Sequence, residues 1–224
     1  MHLLTWLSFG IVLAIIARIY VIVITSRSST SRGRGRAETC HLAVFLGSGE
    51  LYRYIGGHSS EALSLVSALD FSRYGPRTYL ISDGDSLSEQ KACHGASTGG
   101  YQILTIPRAR RVHQGILTVP FTALRSLLGA MYHVTLAPRL FGDSTFDVLL
   151  LNGPGTCVVL CVAVYLNRFL GLPSPRLVYV ESFARVRTLS LSGKLLRPIV
   201  DRFIVQWPDL LRNGGRGECH GWLV

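Results

Sequence analysis

Phe146 to Asn152 reads FDVLLLN, a run that is almost wholly apolar. A strand with one solvated face alternates apolar and polar side chains, so a near-continuous run predicts a parallel strand covered on both faces. HLAVFL (His41 to Leu46), RTYLIS (Arg77 to Ser82), YQILTI (Tyr101 to Ile106), RLVYVE (Arg176 to Glu181) and RFIVQ (Arg202 to Gln206) read as further strands. Helical patterns separate them. After Gly57 the stripe Ala62, Leu65, Val66, Leu69 has helical spacing. Others run from Ser86 to Ala96, Ile116 to about Thr135, Gly153-Pro154-Gly155-Thr156 to Phe169, and Ser192 to Ile199. Six strands alternating with helices predict an α/β fold, a Rossmann-like doubly wound parallel sheet.

Ahead of this body stands a segment of another kind. Leu3 to Ile24 is apolar but for Thr5, Ser8 and Arg18, and a helix of that length spans roughly 33 Å, one bilayer crossing. A cleaved signal peptide carries its positive charge before the apolar run and small residues after it. Here Arg27, Arg32, Arg34 and Arg36 follow the run, so the positive-inside rule puts the body in the cytosol and Met1 in the lumen. Arg18 can snorkel to the same headgroups. The expected organisation is a transmembrane anchor at 1–25, a basic tether at 26–37 that anionic lipid would attract, and one domain at 38–224.

Of the 224 residues, 48% are hydrophobic and 16% charged, which excludes a disordered chain. The formal charge is +10, from 23 Lys and Arg against 13 Asp and Glu, and five of the arginines belong to the first 37 residues. No acidic residue lies between Glu89 and Asp143, while Lys91, Arg108, Arg110, Arg111, Arg125 and Arg139 do. They bracket Leu117, Phe121, Leu124, Leu128 and Met131, spaced for one helix face. That combination suits an anionic membrane surface. The same face could instead pack on the sheet. Nucleic acid is the third possibility, but no nucleic-acid motif accompanies the charge, and the expected partner is membrane. Five scattered cysteines, Cys40, Cys93, Cys157, Cys161 and Cys219, describe no disulfide framework. Cys157 and Cys161 have no matching His or Cys pair for a metal. They read as buried thiols; no metal site and no cofactor is called for.

Ligands of open α/β sheets bind at the carboxyl ends of the strands. Gly47-Ser48-Gly49 through Gly57-His58-Ser59-Ser60-Glu61 joins the first strand to the first helix there, and a Gly-rich loop at a helix amino terminus lets backbone approach an anion. The loop lacks GxxxxGK[ST], which excludes a P-loop NTPase. His58 is either a general base or phosphate contact, or an exposed residue at an ordinary helix cap. After the fifth strand, Glu181 to Lys194 gathers Glu181, Arg185, Arg187 and Lys194 with three serines. It could clamp a diphosphate, bind a partner, or be a solvated turn.

The blocks GSG, GHSSE, SRYGPRTYLISDGD, IPRARRVHQG, DVLLLNGPGT and YVESFARVRTLSLSGKLLRPIVDRFIVQWPDL, with the leading helix, resemble over nearly all of residues 40–210 the membrane-anchoring subunit of the UDP-N-acetylglucosamine transferase of dolichol-linked oligosaccharide synthesis, in the asparagine-linked glycosylation family. The resemblance implies one half, the acceptor-side half, of a GT-B glycosyltransferase, inactive alone. It implies a heterodimer with a soluble catalytic subunit that binds UDP-N-acetylglucosamine. The chain would recruit that subunit to the cytosolic face of the endoplasmic reticulum, as a single-pass membrane protein. Together they would add the second N-acetylglucosamine, β1,4-linked, to N-acetylglucosamine-diphosphodolichol. By the same resemblance Gly47, Ser48, Gly49 and Gly57 face the acceptor, and His58 removes the acceptor hydroxyl proton. Arg185, Arg187 and Lys194, beside Glu181, hold acceptor phosphates or order the interface. Trp222, Leu223 and Val224 pack on the partner. Two departures stand out: Glu50 to Gly56 interrupts what the family writes as GSGGH, and Leu211 to His220 is unusually Gly-rich. The competing reading is a purely structural membrane recruiter whose substrate loops are vestigial.

Overall fold

The computed structural model describes residues 2–28, 39–47, 57–95, 100–110, 114–142, 145–212 and 214–223. Helix α1 (His2–Ser28) leads into β1 (Leu42–Leu46), α2 (His58–Ser67), β2 (Arg77–Ser82), α3 (Ser86–Gly95) and β3 (Tyr101–Ile106). Then come α4 (Val119–Met131), α5 (Ala137–Phe141), β4 (Val148–Asn152), α6 (Thr156–Phe169), β5 (Arg176–Val180), α7 (Leu191–Leu196), β6 (Arg202–Val205) and β7 (Glu218–Cys219). The tether expected from residue 26 therefore starts inside α1, and its remainder lies outside the described residues, as does Glu50 to Gly56.

The strands lie in the order β3-β2-β1-β4-β5-β6-β7, every neighbour parallel. The chain works outward from β1 to one edge and then from β4 to the other, so the direction reverses between those two strands. β1 is buried at every position, and its alternation divides the core. Ala43 and Phe45 join Leu149, Leu151, Leu160 and Val164 beneath α4 and α6. Leu42, Val44 and Leu46 join Ala62 and Val66 of α2 and Ala92 of α3. Each large aliphatic side chain so buried contributes about 1.5–3 kcal/mol, and covering both faces of β1 and β4 fixes the sheet as a middle layer.

Three sequence expectations change. Seven strands stand where six were expected, because β7 is two residues long, too short for a periodic signal, and falls in the Gly-rich segment Leu211 to His220. The helix expected from Ile116 to Thr135 starts as a 3-10 turn and continues to Phe141 through a π turn at Tyr132–Leu136. Pro138 is the reason: it has no N–H for the carbonyl four residues back, and the turn widens ahead of it. All of the expected apolar stripe but Met131 turns away from the sheet. Ser126 and Ala130 face inward, Met131 packs against the core, and Leu117, Phe121, Leu124 and Leu128 are exposed. Leu136 and Leu140 continue the exposed stripe into α5.

Helix α1 meets the body at the amino-terminal ends of the strands, away from the loops at their carboxyl ends. The Arg18 guanidinium donates to the carbonyls of Arg168 and Phe169 at the end of α6, both at 3.4 Å, and Ile22 is buried. Among the described residues no helix is long and apolar enough to cross a membrane; the unbroken stretch of α1 whose side chains are described is 9–24.

Candidate functional site

The crevice between β1 and β4 forms where the sheet changes direction, and neighbouring strands there send their following loops apart. Gly47 ends β1. A Cβ there would lie 2.4 Å from Cγ of Pro154, so the absence of a side chain lets the chain leave β1 against the turn that follows β4. Gly57 caps α2 with extended backbone, and its carbonyl accepts from the Ser60 N–H at 2.8 Å. His58 is therefore the first residue of α2. Its ring lies over Gly153, whose φ of +88° suits glycine and whose Cβ would stand 2.4 Å from His58 Cγ.

Asn152, the last residue of β4, is buried and holds His58. His58 Nδ1 lies 2.9 Å from Asn152 Oδ1. An amide oxygen only accepts, so Nδ1 carries the proton and the lone pair of the neutral ring is on Nε2. The Asn152 amide nitrogen donates to Glu61 Oε2 at 3.1 Å, and the Ser182 hydroxyl, from the loop after β5, donates to Glu61 Oε1 at 3.0 Å. His58 Nδ1 is itself 3.9 Å from Glu61 Oε2. Burial pushes the Glu61 carboxyl up, but the nearby His58 ring and the hydrogen bonds from Asn152 and Ser182 outweigh it and leave the group below its ordinary value. The result is an anchored carboxylate behind an oriented imidazole, spanning α2, β4 and the loop after β5. Such an arrangement can accept a proton at Nε2 from a hydroxyl placed in the crevice.

The remaining expected residues divide. Gly47, Gly57 and His58 come together at the crevice; Ser48 and Gly49 lie outside the described residues. Glu181 is fully buried, and its carboxylate is taken up inside the fold. Oε1 accepts from the Ser182 N–H at 3.1 Å, and Oε2 from the Ser190 N–H and hydroxyl, each at 3.0 Å. A Cβ on Gly193 would lie 2.1 Å from Oε2, so α7 can close on the carboxylate only with glycine there. Glu181 thus shapes the loop that presents Ser182. Arg185 and Arg187 stand exposed on that loop, the Arg185 N–H bonded to the Ser182 carbonyl at 3.0 Å. Lys194 is exposed and lines a separate hollow with Arg197 and Arg216.

Trp222 is exposed and packs on Trp207, with ring centres 5.5 Å apart, and on Phe183 at 6.0 Å. The Leu223 N–H reaches Oε1 of Gln206 at 3.3 Å. Val224 lies outside the described residues. The tail therefore lies beside the carboxyl ends of β5 and β6, on the same end of the sheet as His58. Cys157 and Cys161 are buried, and burial pushes both thiols up. Among the described residues no group of His, Cys, Asp or Glu is arranged to hold a metal ion.

Glu61, Asn152, Ser182 and Gly153 were not singled out from the sequence as site residues. The available signal was a polar residue closing each of two apolar strands, Asn152 after VLLL and Ser182 just after RLVYVE, which pattern reading treats as strand boundaries.

Comparison with known proteins agrees with this architecture. The chain is 45% identical over 208 residues to the UDP-N-acetylglucosamine transferase subunit ALG14 of Cryptococcus neoformans var. neoformans serotype D, covering 89% of this chain and 87% of that one. It is 44% identical to the subunit of the same name from Schizosaccharomyces pombe (90% and 91% covered) and 39% identical to that of Mus musculus (75% and 79%). Among solved structures, Acinetobacter baumannii MurG shares the fold, with a TM-score of 0.53 at 15% identity over 79% of this chain and 44% of that one. With residues 42–223 also matching the family model described as oligosaccharide biosynthesis protein Alg14 like, the chain belongs to the Alg14 family.

Proposed function

We propose that this chain is the membrane-anchored, acceptor-side subunit of a UDP-N-acetylglucosamine transferase of the cytosolic face of the endoplasmic reticulum. On this reading it recruits a soluble partner holding the UDP-sugar, and the pair extends N-acetylglucosamine-diphosphodolichol by a β1,4-linked N-acetylglucosamine. The observation that carries the reading is the His58, Asn152 and Glu61 chain at the β1/β4 crevice. A sugar hydroxyl delivered there meets Nε2. As its oxygen bonds to the anomeric carbon of the donor, the bond to UDP breaks and UDP leaves with the electron pair. The hydroxyl proton passes to Nε2, and Asn152 with Glu61 behind it stabilises the imidazolium.

Four further features support the reading. The fold matched in MurG is less than half of that chain, as expected of one half of a two-domain transferase. Helix α1 has 27 residues, about 40 Å, and Trp6, Phe9, Ile11, Ile16 and Tyr20 face outward along it, as an anchor would require. The exposed stripe of α4 and α5, near Arg125 and Arg139, suits the surface of the same membrane. Arg185 and Arg187, exposed on the loop that Glu181 shapes, are available to acceptor phosphate or to the partner.

The test is transfer of N-acetylglucosamine from UDP to a lipid-diphosphate acceptor, by membranes containing this chain with and without the soluble partner. Turnover only with the partner, lost in His58→Ala while the two chains still co-purify, is the expected result. Full turnover in that variant would mean that the chain only recruits. Turnover without the partner would overturn the half-enzyme assignment.

A further inference from the structure

A hollow of about 350 Å³ opens beside the end of α7, lined by Lys194, Arg197, Pro198, Gly215 and Arg216. Neutral groups hold its two guanidinium groups in place. Arg216 donates from Nη1 to the Pro198 carbonyl at 3.4 Å and from Nη2 to the Asp201 carbonyl at 2.7 Å. Arg197 donates from Nε to the Arg216 carbonyl at 2.5 Å, and its Cζ stands 5.9 Å from the centre of the Phe203 ring. Gly215 lies so close against this guanidinium that a Cβ there would be 2.1 Å from Nη2 and 2.2 Å from Cζ. These contacts fix the geometry and leave the charge. The carboxylates of the surrounding elements are spent elsewhere: Glu181 on Ser182 and Ser190, Asp201 on Arg168 and the Leu177 N–H, Asp209 on Arg212, Glu218 on Arg202 and His220. Nη2 of Arg197 is buried with no hydrogen bond among the described residues, and native proteins seldom leave such a group uncompensated. Asp201 directly precedes β6, so the hollow lies toward the amino-terminal end of the strands, away from His58.

We propose that this hollow binds a phosphate monoester. Its lining sets three positive charges against no negative one. A phosphate monoester carries about −1.5 to −2 at pH 7 and three strong acceptor oxygens, which suit two fixed guanidinium groups and a mobile ammonium. A carboxylate, with one charge and two oxygens, would leave most of the excess unanswered. The volume exceeds that of the phosphoryl group and leaves room for a small organic group on the ester oxygen. Bound there, the anion would tie Lys194 of α7 and Arg197, just past its end, to Arg216, which stands two residues before β7. The returning strand and the tail beyond it would then be fastened to the body at a second point. The site does not depend on the reaction at the β1/β4 crevice, since the two lie toward opposite ends of the sheet and share no residue.

The test is titration calorimetry on the full chain in detergent, with glycerol 3-phosphate as probe and acetate at matched ionic strength as the comparison. The phosphate ester should bind and acetate should not. Lys194→Gln and Arg197→Gln should each weaken binding about tenfold. Gly215→Ala keeps all three charges but displaces the Arg197 guanidinium, and it should weaken binding as well. Lys91→Gln removes a charge from α3, on the other face of the sheet, where the ammonium bonds to Ser60, and it should change nothing. Thermal unfolding of each variant without ligand shows which remain folded; Lys194 is exposed and has no hydrogen bond from its ammonium to lose, so that variant stays informative even if Arg197→Gln unfolds. Unchanged affinity in Lys194→Gln, or acetate binding as tightly as the phosphate ester, overturns the proposal. A parallel titration with phosphatidate in micelles identifies the source: tighter binding than glycerol 3-phosphate, lost in the same variants, supports a lipid phosphate, and equal binding supports a soluble one.

Discussion

Asn152 accepts the Nδ1 proton of His58 at 2.9 Å while donating its amide nitrogen to Glu61 at 3.1 Å, so one buried amide fixes both the tautomer of the imidazole and the position of the carboxylate behind it. A carboxamide is suited to this place. It bridges two groups that both need a partner, and it adds no second negative charge beside Glu61.

Asn152→Ala removes the bridge and leaves the ring free to rotate. On the proposed role of His58, an oriented general base contributes about 10²–10⁴-fold to rate, so kcat should fall by roughly 10²-fold or more with KM nearly unchanged. A change confined to KM would mean that Asn152 serves acceptor binding and not the orientation of His58. Steady-state transfer assays with the reconstituted pair separate the two.

Glu61 titrates below its ordinary value of 4.5 in the folded chain. A carboxylate depressed by folding adds stability above its unfolded pKa and loses it as pH falls through the folded one. The Tm of wild type should therefore drop more steeply than that of Glu61→Gln as pH falls from about 4.5 downward, with the two curves parallel between pH 6 and 8. Parallel curves throughout would mean that the hydrogen bonds to Glu61 do not persist in solution. Scanning calorimetry over that pH range decides it.

Gly153→Ala places a methyl group where the His58 ring lies, and it does so at a φ of +88°. The backbone strain alone costs about 1–3 kcal/mol, and the ring must also move. The variant should lose stability in that range and activity together. A stable variant with full turnover would show that the ring need not rest on Gly153 during the reaction.

The sheet was legible because its strands are apolar runs of ordinary length broken by helical stripes; β1 to β6 fall within two residues of the expected positions. β7 was not, since two residues carry no period and their pairing with β6 is decided by the chain folding back. At the site, His58 and its glycines announce themselves through composition and their place in a loop. Asn152, Glu61 and Ser182 do not, because each works through a partner about 90 or more residues away in sequence. Glu181 illustrates the converse: a carboxylate among arginines and serines looks like a ligand contact in sequence. Only the hydrogen bonds from Ser182 and Ser190 reveal an internal brace.

That brace gives a stability prediction. Glu181→Ala removes charge-assisted hydrogen bonds to the buried Ser182 N–H and to the half-buried Ser190 N–H and hydroxyl. A buried donor left without its acceptor costs about 1–3 kcal/mol, so the Tm should fall and proteolysis should first cut the loop between Ser182 and Ser190. An unchanged Tm would mean that the loop holds its shape by other contacts.

Trp222 stands 69% exposed at the carboxyl end of the sheet, braced by Trp207 and Phe183. A large aromatic side chain held in place by two others and still open on one face loses little conformational freedom on binding. Such anchors dominate interface energies at about 2 kcal/mol or more each. Trp222→Ala should therefore weaken association with the proposed partner subunit about 30-fold without lowering the Tm of the isolated chain by more than a degree or two. Phe183→Ala, which removes the brace and spares the contact, should weaken it less. If Phe183→Ala were the more damaging change, the partner would be reading the loop after β5, where Arg185 and Arg187 stand, and the tail would serve only to cover it. Co-purification with quantified partner, at matched expression, distinguishes the two.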